Sequence, residues 1–447
     1  MLGLVLWMVF VGCVVWACVG SAVCMCVGSV VCTGVGVWVA WWMLLKPTPP
    51  PTQAILPYTR KSLFYPLKVI IFYCFVKLRK KSGRFSKGAG YGSRSYSRVE
   101  MMERPQPLHP NPKAIDAVFF SGAAHGWGII VAMERRPARL ASALIYLKVP
   151  GRGLLVSPKH PDTITFRDEK DEDKFATGNI TIMPESPMKV WRLKFSGKLR
   201  PHDQPEGDSV DVKVDLLWTS NLPHFDFDTD MDILTTAKAF ANEAWSKEYF
   251  TFLRKHHQTH YEQMGQLEGS VSIDGASSSL LLPSFRDHSY GKMREWRLMH
   301  RYVFHHIFLQ DGSKGVVGVV CQPSTCSRLI LGHWWTVLGE GAAVTSMDLQ
   351  LHQHGERGTP PTDYAFCFTA GGVEYLVEAQ VEVSAQHYLG WDWEARMLET
   401  WVTYRVNGVE GSGICEWNYC HGGGRPDALN SADPEWAIKY RPRYLAA

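Results

Sequence analysis

The run Phe285-Arg286-Asp287-His288-Ser289-Tyr290-Gly291, continuing through Lys292-Met293-Arg294-Glu295-Trp296, puts two carboxyls, an imidazole, a phenol, two guanidiniums and an indole into a dozen residues. A carboxyl beside an imidazole can exchange protons, and aromatic faces stabilise a developing cation. The set marks a candidate functional site without by itself naming a substrate. Asp287, His288 and Tyr290 are therefore the candidate catalytic residues, with Arg286, Arg294 and Trp296 as candidate ligand contacts. The structural alternative is an Arg286–Asp287 ion pair at a strand turn, with His288 hydrogen-bonded to backbone.

The elements that must position these groups are strands. Trp191, Leu193 and Phe195 alternate with Arg192, Lys194 and Ser196, and Val212, Val214, Leu216 and Trp218 alternate with charged neighbours. Period-two alternation marks strands with one packed and one wet face. Further strands are expected at 127–133, 140–149, 265–274, 299–309, 315–322, 328–337, 345–352, 363–370 and 373–383. Asn407-Gly408, between 400–406 and 409–417, reads as a type I′ hairpin, and Asp274-Gly275 as another turn. Only 233–258 changes period: Leu234, Ala237, Phe240, Ala241, Trp245, Tyr249 and Phe252 share a helical face behind Asp232 as N-cap. The expected organisation is all-β: a first β domain at 113–232, a connecting helix at 233–260, and a second β domain at 261–445. His125-Gly126-Trp127-Gly128 looks like a short echo of His288-Ser289-Tyr290-Gly291, which adds His125 and Trp127 to the candidate ligand contacts.

The Arg286–Gly291 segment resembles the Arg-Asp-His-Ser-Trp-Gly signature of tandem-lipocalin proteins of the carotenoid 1,2-hydratase (hydroxyneurosporene synthase) type, with Tyr290 where Trp is commoner. His260-Tyr261-Glu262-Gln263, the 191–197 strand and Cys415-Glu416-Trp417 match as well, and the resemblance spans roughly 110–420. It implies two lipocalin-like antiparallel barrels or sandwiches and an apolar cavity for a lipid or isoprenoid, with Trp417 among the lining residues. It also implies Asp-and-His alkene protonation, with His288 and Tyr290 as the His-x-aromatic element. The downstream Tyr-x-Asp element of the hydratases has only Leu309-Gln310-Asp311 as counterpart, which lacks the Tyr. Binding of a hydrophobic small molecule is thus the first functional expectation, hydratase or isomerase chemistry the second, and a ligand-free interaction scaffold the third.

The remaining motifs are weaker. The acidic run 226–232 has Met231 where a calcium loop needs Gly, and Ala237 where it needs Glu, so helix capping explains it better. His256, His257 and His260 have helical spacing but no general-base motif. Cys321/Cys326 and Cys415/Cys420 are spaced too widely for an ordinary zinc site. Neither a metal nor a cofactor is expected, and there is no P-loop, nucleophile elbow or dinucleotide fingerprint.

The N-terminal region is of a different kind. Residues 1–45 of the 447 carry no Asp, Glu, Lys or Arg. As a helix of about 68 Å this run exceeds a hydrocarbon core of about 30 Å, so it reads as a transmembrane segment, either one tilted span with an apolar excess or a tight two-span hairpin. Its tandem octads, Cys18–Met25 and Cys26–Thr33, also read as a translated dinucleotide repeat from an over-extended gene model. A basic Pro/Gly/Ser-rich linker follows at 46–112, with an apolar patch at 63–76 suited to an interfacial anchor. By the positive-inside rule the β domains belong on the cytoplasmic side, or in the cytoplasm outright if 1–45 is not expressed. The net charge of +4 lies mostly in this flank, so nucleic acid is not an expected partner.

Overall fold

The computed structural model describes residues 58, 64–82, 99–430 and 436–446; the expected transmembrane segment at 1–45 lies outside them. Among the described residues no helix is long and apolar enough to cross a membrane. Two helices come first, α1 (Tyr65–Ser82) and α2 (Val99–Glu103), followed by strands β1 (Ile115–Ala124), β2 (Trp127–Arg135), β3 (Leu140–Val149), β4 (Gly153–Val156) and β5 (Ile164–Phe166). Next come β6 (Phe175–Thr177), β7 (Ile180–Ser186), β8 (Val190–Pro201), β9 (Val210–Thr219) and β10 (Phe225–Asp226). Helices α3 (Ile233–Ala241) and α4 (Lys247–Lys255) precede the long hairpin β11 (Gln258–Ile273) and β12 (Ala276–Gly291).

These strands make one antiparallel sheet. Because β9 pairs with both β8 and β11, the circuit β11–β12–β1–β2–β3–β4–β8–β9 closes on itself. Its interior holds Phe120, Ile129, Val131, Trp191, Leu193, Leu216, Trp218 and Leu267. A second barrel follows as a closed meander: β13 (Arg301–Leu309), β14 (Lys314–Gln322), β15 (Cys326–Trp335), β16 (Gly341–Met347), β17 (Asp363–Ala370), β18 (Val373–Leu389), β19 (Ala395–Val406) and β20 (Val409–Cys420). Its core includes Val303, Val317, Trp334, Phe366, Phe368, Tyr404 and Trp417. The tight hairpins form where expected, with positive φ at Asn407 and Gly408 and at Asp274 and Gly275.

Three expectations are corrected. The β11–β12 hairpin pairs with β1 and β9 of the first barrel, so the sheets divide between Gly291 and Arg301 rather than at 261. The connecting helix is two short helices and ends before 258. Ser246 accepts a bond from Tyr249 N and starts α4 afresh, while the buried Glu243 carboxylate turns away to accept from Ser327 N at 2.6 Å. The linker is not a spacer throughout: α2 reaches the first barrel, where Glu103 is 1% exposed.

The two barrels pack through their outer faces. Ala123, Ile130, Leu144 and Tyr146 of the first meet Ala385, Trp401 and Ile414 of the second. Gly128 belongs to this contact, since a Cβ there would lie 2.1 Å from Trp401 Nε1. We expect Gly128→Ala to destabilise the protein by about 1–3 kcal/mol, the usual cost of overpacking, readable as a lower urea midpoint. His125 and Gly126, with φ of 51° and 79°, form the type I′ turn joining β1 to β2, whereas His288 lies in mid-strand. The echo between the two segments is therefore one of letters, not of geometry.

Candidate functional site

A cavity of about 330 Å³ lies between the barrels. Strands β1, β11 and β12 supply one wall, with Phe119, His260, Glu262, Phe285, Asp287 and Ser289; β13, β19 and β20 supply the other, with Tyr302, Phe304, His306, Met397, Glu399 and Glu416. Phe227, Met231, Leu253 and Leu331 add apolar side chains to the lining, beside Asp228, His256 and His257.

Strand parity divides the signature segment. Successive side chains of a strand point to opposite faces, and both faces of β12 are occupied. Phe285, Asp287 and Ser289 line the cavity, while Arg286, His288 and Tyr290 point into the first barrel. There His288 Nε2 lies 2.7 Å from Asp116 Oδ1, and its Nδ1 lies 2.8 Å from Tyr261 OH. Arg286 pairs with Glu103 at 3.0 Å, donates to Gln263 Oε1 at 2.6 Å and stacks its guanidinium over Trp218 at 4.8 Å. Asp287 and His288 consequently do not face one another as an acid–base pair, and Arg286–Asp287 is not the ion pair.

The other candidate residues fall in several places. Arg294 and Trp296 line the cavity, Arg294 Nε donating to Gln258 Oε1 at 2.5 Å and Trp296 Nε1 to Glu134 Oε2 at 3.3 Å. His125 is exposed at its turn, and Trp127 borders a separate small cleft beside Trp401. Trp417 is core of the second barrel. Asp311, of the expected downstream element, accepts from Ser313 N at 2.8 Å in the β13–β14 turn. In the acidic run, Asp232 accepts from Thr235 N at 2.7 Å and caps α3. Among the described residues no group of three or more His, Cys, Asp or Glu is arranged to hold a metal ion.

The cavity's electrostatics centre on two pairs of carboxyls. Glu262 and Asp287 are directly opposite in the β11–β12 register. Burial alone would raise Glu262, but His260 Nε2, 3.1 Å from one carboxylate oxygen, and His333 Nε2, 3.2 Å from the other, hold it down to about 2. Trp335 Nε1 donates to His333 Nδ1 at 3.0 Å, which leaves the proton of a neutral His333 on Nε2, facing Glu262. Burial lowers His260, yet the Glu262 hydrogen bond and the Asp287 charge raise it overall; its Nδ1 meets Ser289 Oγ at 2.5 Å. Asp287 is pushed up to about 7, first by burial and then by the like charges of Glu262 and Glu416, against the opposing pull of His260 and Arg294. The surface it keeps accessible faces the cavity.

The second pair is Glu399 and Glu416, opposite one another across β19 and β20. Burial raises both; the charge and hydrogen bond of Glu416 raise Glu399 further, while hydrogen bonds from Tyr302 and Glu399 hold Glu416 back, so the pair retains a proton between its two carboxyls. Burial also lowers His306 and His387 to about 3, keeping two neutral imidazoles on the wall. His306 Nδ1 lies 3.2 Å from Ser121 Oγ, and its ring stacks on Phe285 at 4.1 Å. The cavity wall thus holds an ionised carboxylate, a carboxyl pushed up to about 7, and a proton-sharing pair beside aromatic faces.

Glu399, Glu416, His306 and His387 are site residues that sequence reasoning missed. Their signal was a charged or imidazole group on the supposedly wet face of strands whose neighbours on that face, such as Met397 and Trp401, are apolar.

A family model covers residues 34–419, described as a family of unknown function (DUF8627). The chain belongs to that family. A search of curated proteins finds no match. Among solved structures, the chain is similar to a putative AttH from Nitrosomonas europaea, at 13% identity and TM-score 0.46, over 70% of this chain and 95% of that one. It is also similar to kievitone hydratase from Nectria haematococca, at 12% identity and TM-score 0.44, over 75% and 98%. CghA follows at 11% identity and TM-score 0.40, over 73% and 98%.

Proposed function

We propose that the inter-barrel cavity binds a small apolar molecule and exchanges a proton with it, as a hydratase or isomerase acting on a carbon–carbon double bond. The observation that carries this reading is the Glu262–Asp287 pair. Adjacent carboxyls whose surroundings push their pKa values apart, to about 2 and about 7, are the arrangement expected of an acid that still carries its proton up to about pH 7. Asp287 gives its proton to one alkene carbon, the π electrons forming the new C–H bond. The cation left on the other carbon lies among Phe285, Phe304 and Phe227, whose faces stabilise positive charge. The Asp287 carboxylate then takes a proton either from an adding water, giving an alcohol, or from a neighbouring carbon, giving a shifted double bond. Either course restores the acid.

The volume sets the ligand's size. At about 330 Å³ the cavity is near the small end of the ligand-pocket range of about 300–1,000 Å³, which suits a short isoprenoid better than a long carotenoid. The sequence resemblance to carotenoid hydratases agrees in reaction class, with Asp287 in the part expected of the Asp287–His288 pair. The test is native mass spectrometry with organic extraction of the purified full chain and of a cavity-filling Leu389→Trp variant. The expected result is an apolar small molecule released by wild type and absent from the folded variant. A wild type that remains empty when offered a library of isoprenoid and aromatic alkenes would sink the reading.

A further inference from the structure

We infer that the outward face of α1 seats on the surface of an anionic lipid bilayer. The helix has two apolar faces. Phe72 and Val76 turn inward against α3 and α4, Phe72 stacking on Phe240 at 4.8 Å, and Lys68 Nζ donates to Glu243 O at 2.7 Å. These contacts fix the helix on the body of the protein. Leu67, Ile70, Ile71, Phe75 and Leu78, with the preceding Phe64, point the other way and are each 43–67% exposed. A surface helix of a globular protein shows one apolar stripe, turned inward. A second stripe at i, i+3, i+4 and i+8 needs a partner of its own.

Charge identifies that partner. Arg79, Lys80 and Lys81 form the last turn of α1, and Arg79 rests over the Phe75 ring at 5.5 Å, beside the apolar stripe. Residues 46–98 contain 12 Lys and Arg and no Asp or Glu. Apolar side chains bordered by a uniformly basic flank fit an acidic headgroup layer over an apolar interior. They do not fit residues 1–45, which offer no acidic group to pair with the flank. Among the described residues no helix can span, so α1 lies along the surface. The inner cluster beneath α1 and the cavity share Leu253, Cys326 and Leu329, so a docked α1 holds that part of the cavity wall close to lipid. The docking surface stands whether or not the cavity is catalytic.

The test uses the full chain with phosphatidylcholine vesicles, with and without phosphatidylserine, carrying a photoactivatable diazirine lipid, and maps the adducts by peptide mass spectrometry. Adducts are expected on Leu67, Ile71, Phe75 and Leu78 but not on Phe72 or Val76, with yields that fall in high salt and without phosphatidylserine. Ile71→Ser/Phe75→Ser should cut the adducts at Leu67 and Leu78 about tenfold or more, with the circular dichroism unchanged. Adducts confined to residues outside α1 would overturn the inference. So would α1 adducts indifferent to phosphatidylserine and salt, or photo-crosslinks showing residues 1–57 seated on the stripe.

Discussion

Asp287→Asn should lower turnover of the captured ligand by about a hundred- to ten-thousandfold while leaving its capture intact, because a positioned general acid contributes about that much. The substitution keeps size and hydrogen-bonding shape and removes the transferable proton. Below pH 7 the wild-type carboxyl is loaded, so turnover should be level there and fall about tenfold per unit above. The variant should lack that upper limb. A second readout needs no substrate. An unfolded Asp ionises near about 3.9, whereas the folded Asp287 holds its proton to about 7. The folded pKa is the higher, so the stability contributed by the neutral acid is complete below about 4 and declines as pH rises towards 7. Above 7 it declines no further. Asn never carries the charge, so Asp287→Asn should be the more stable protein at pH 8, by roughly 2–4 kcal/mol, with little advantage near pH 4. Urea midpoints of the two proteins at several pH values measure this. An advantage that does not grow between pH 4 and 8 would show that Asp287 is an ordinary ionised carboxylate and would remove the acid from the mechanism.

Much of the β architecture was legible because alternation is enforced wherever a strand has one dry and one wet face. The 190–199 and 212–218 strands have that pattern, and both form at those positions. The site was legible only in outline. In β12 both faces are covered, one by the barrel interior and one by the second barrel, so period two cannot say which parity faces a ligand. The density of reactive groups at 285–291 arises because two polar clusters stand back to back across one strand, Arg286 and His288 on one side and Asp287 and Ser289 on the other. Glu399 and Glu416 stayed hidden for the same reason: a charge on the outer face of a strand reads as solvated unless the facing barrel is known. The division of the chain was misplaced because α3 and α4 interrupt the first barrel rather than follow it. Two strands at the end of that barrel return to pair with β1 and β9, and long-range pairing of that kind leaves no local mark.

Removing the Arg286 guanidinium should damage folding rather than ligand capture. Arg286 is fully buried, and its partner Glu103 also accepts from Trp191 Nε1 at 2.7 Å, Tyr261 OH at 2.6 Å and Met188 N at 2.9 Å. Burial raises Glu103, but the Arg286 charge and the Tyr261 hydrogen bond bring it below the usual carboxylate range, so the pair is ionic. Arg286→Ala leaves a buried carboxylate without its counter-charge, and Glu103→Ala leaves a buried guanidinium. Each should cost about 3–5 kcal/mol, the usual penalty for breaking a buried pair from one side. The double variant Arg286→Met/Glu103→Leu removes both charges and fills much of the space, so it should recover a large part of that loss. A double-mutant cycle on urea midpoints, with ligand capture by native mass spectrometry at each corner, separates the two roles. If Arg286 is the tie between α2 and the first barrel, capture should follow the folded fraction in every variant. Normal urea midpoints with capture abolished would instead make Arg286 the ligand contact that its motif suggested, and would require the barrel interior to open to the ligand.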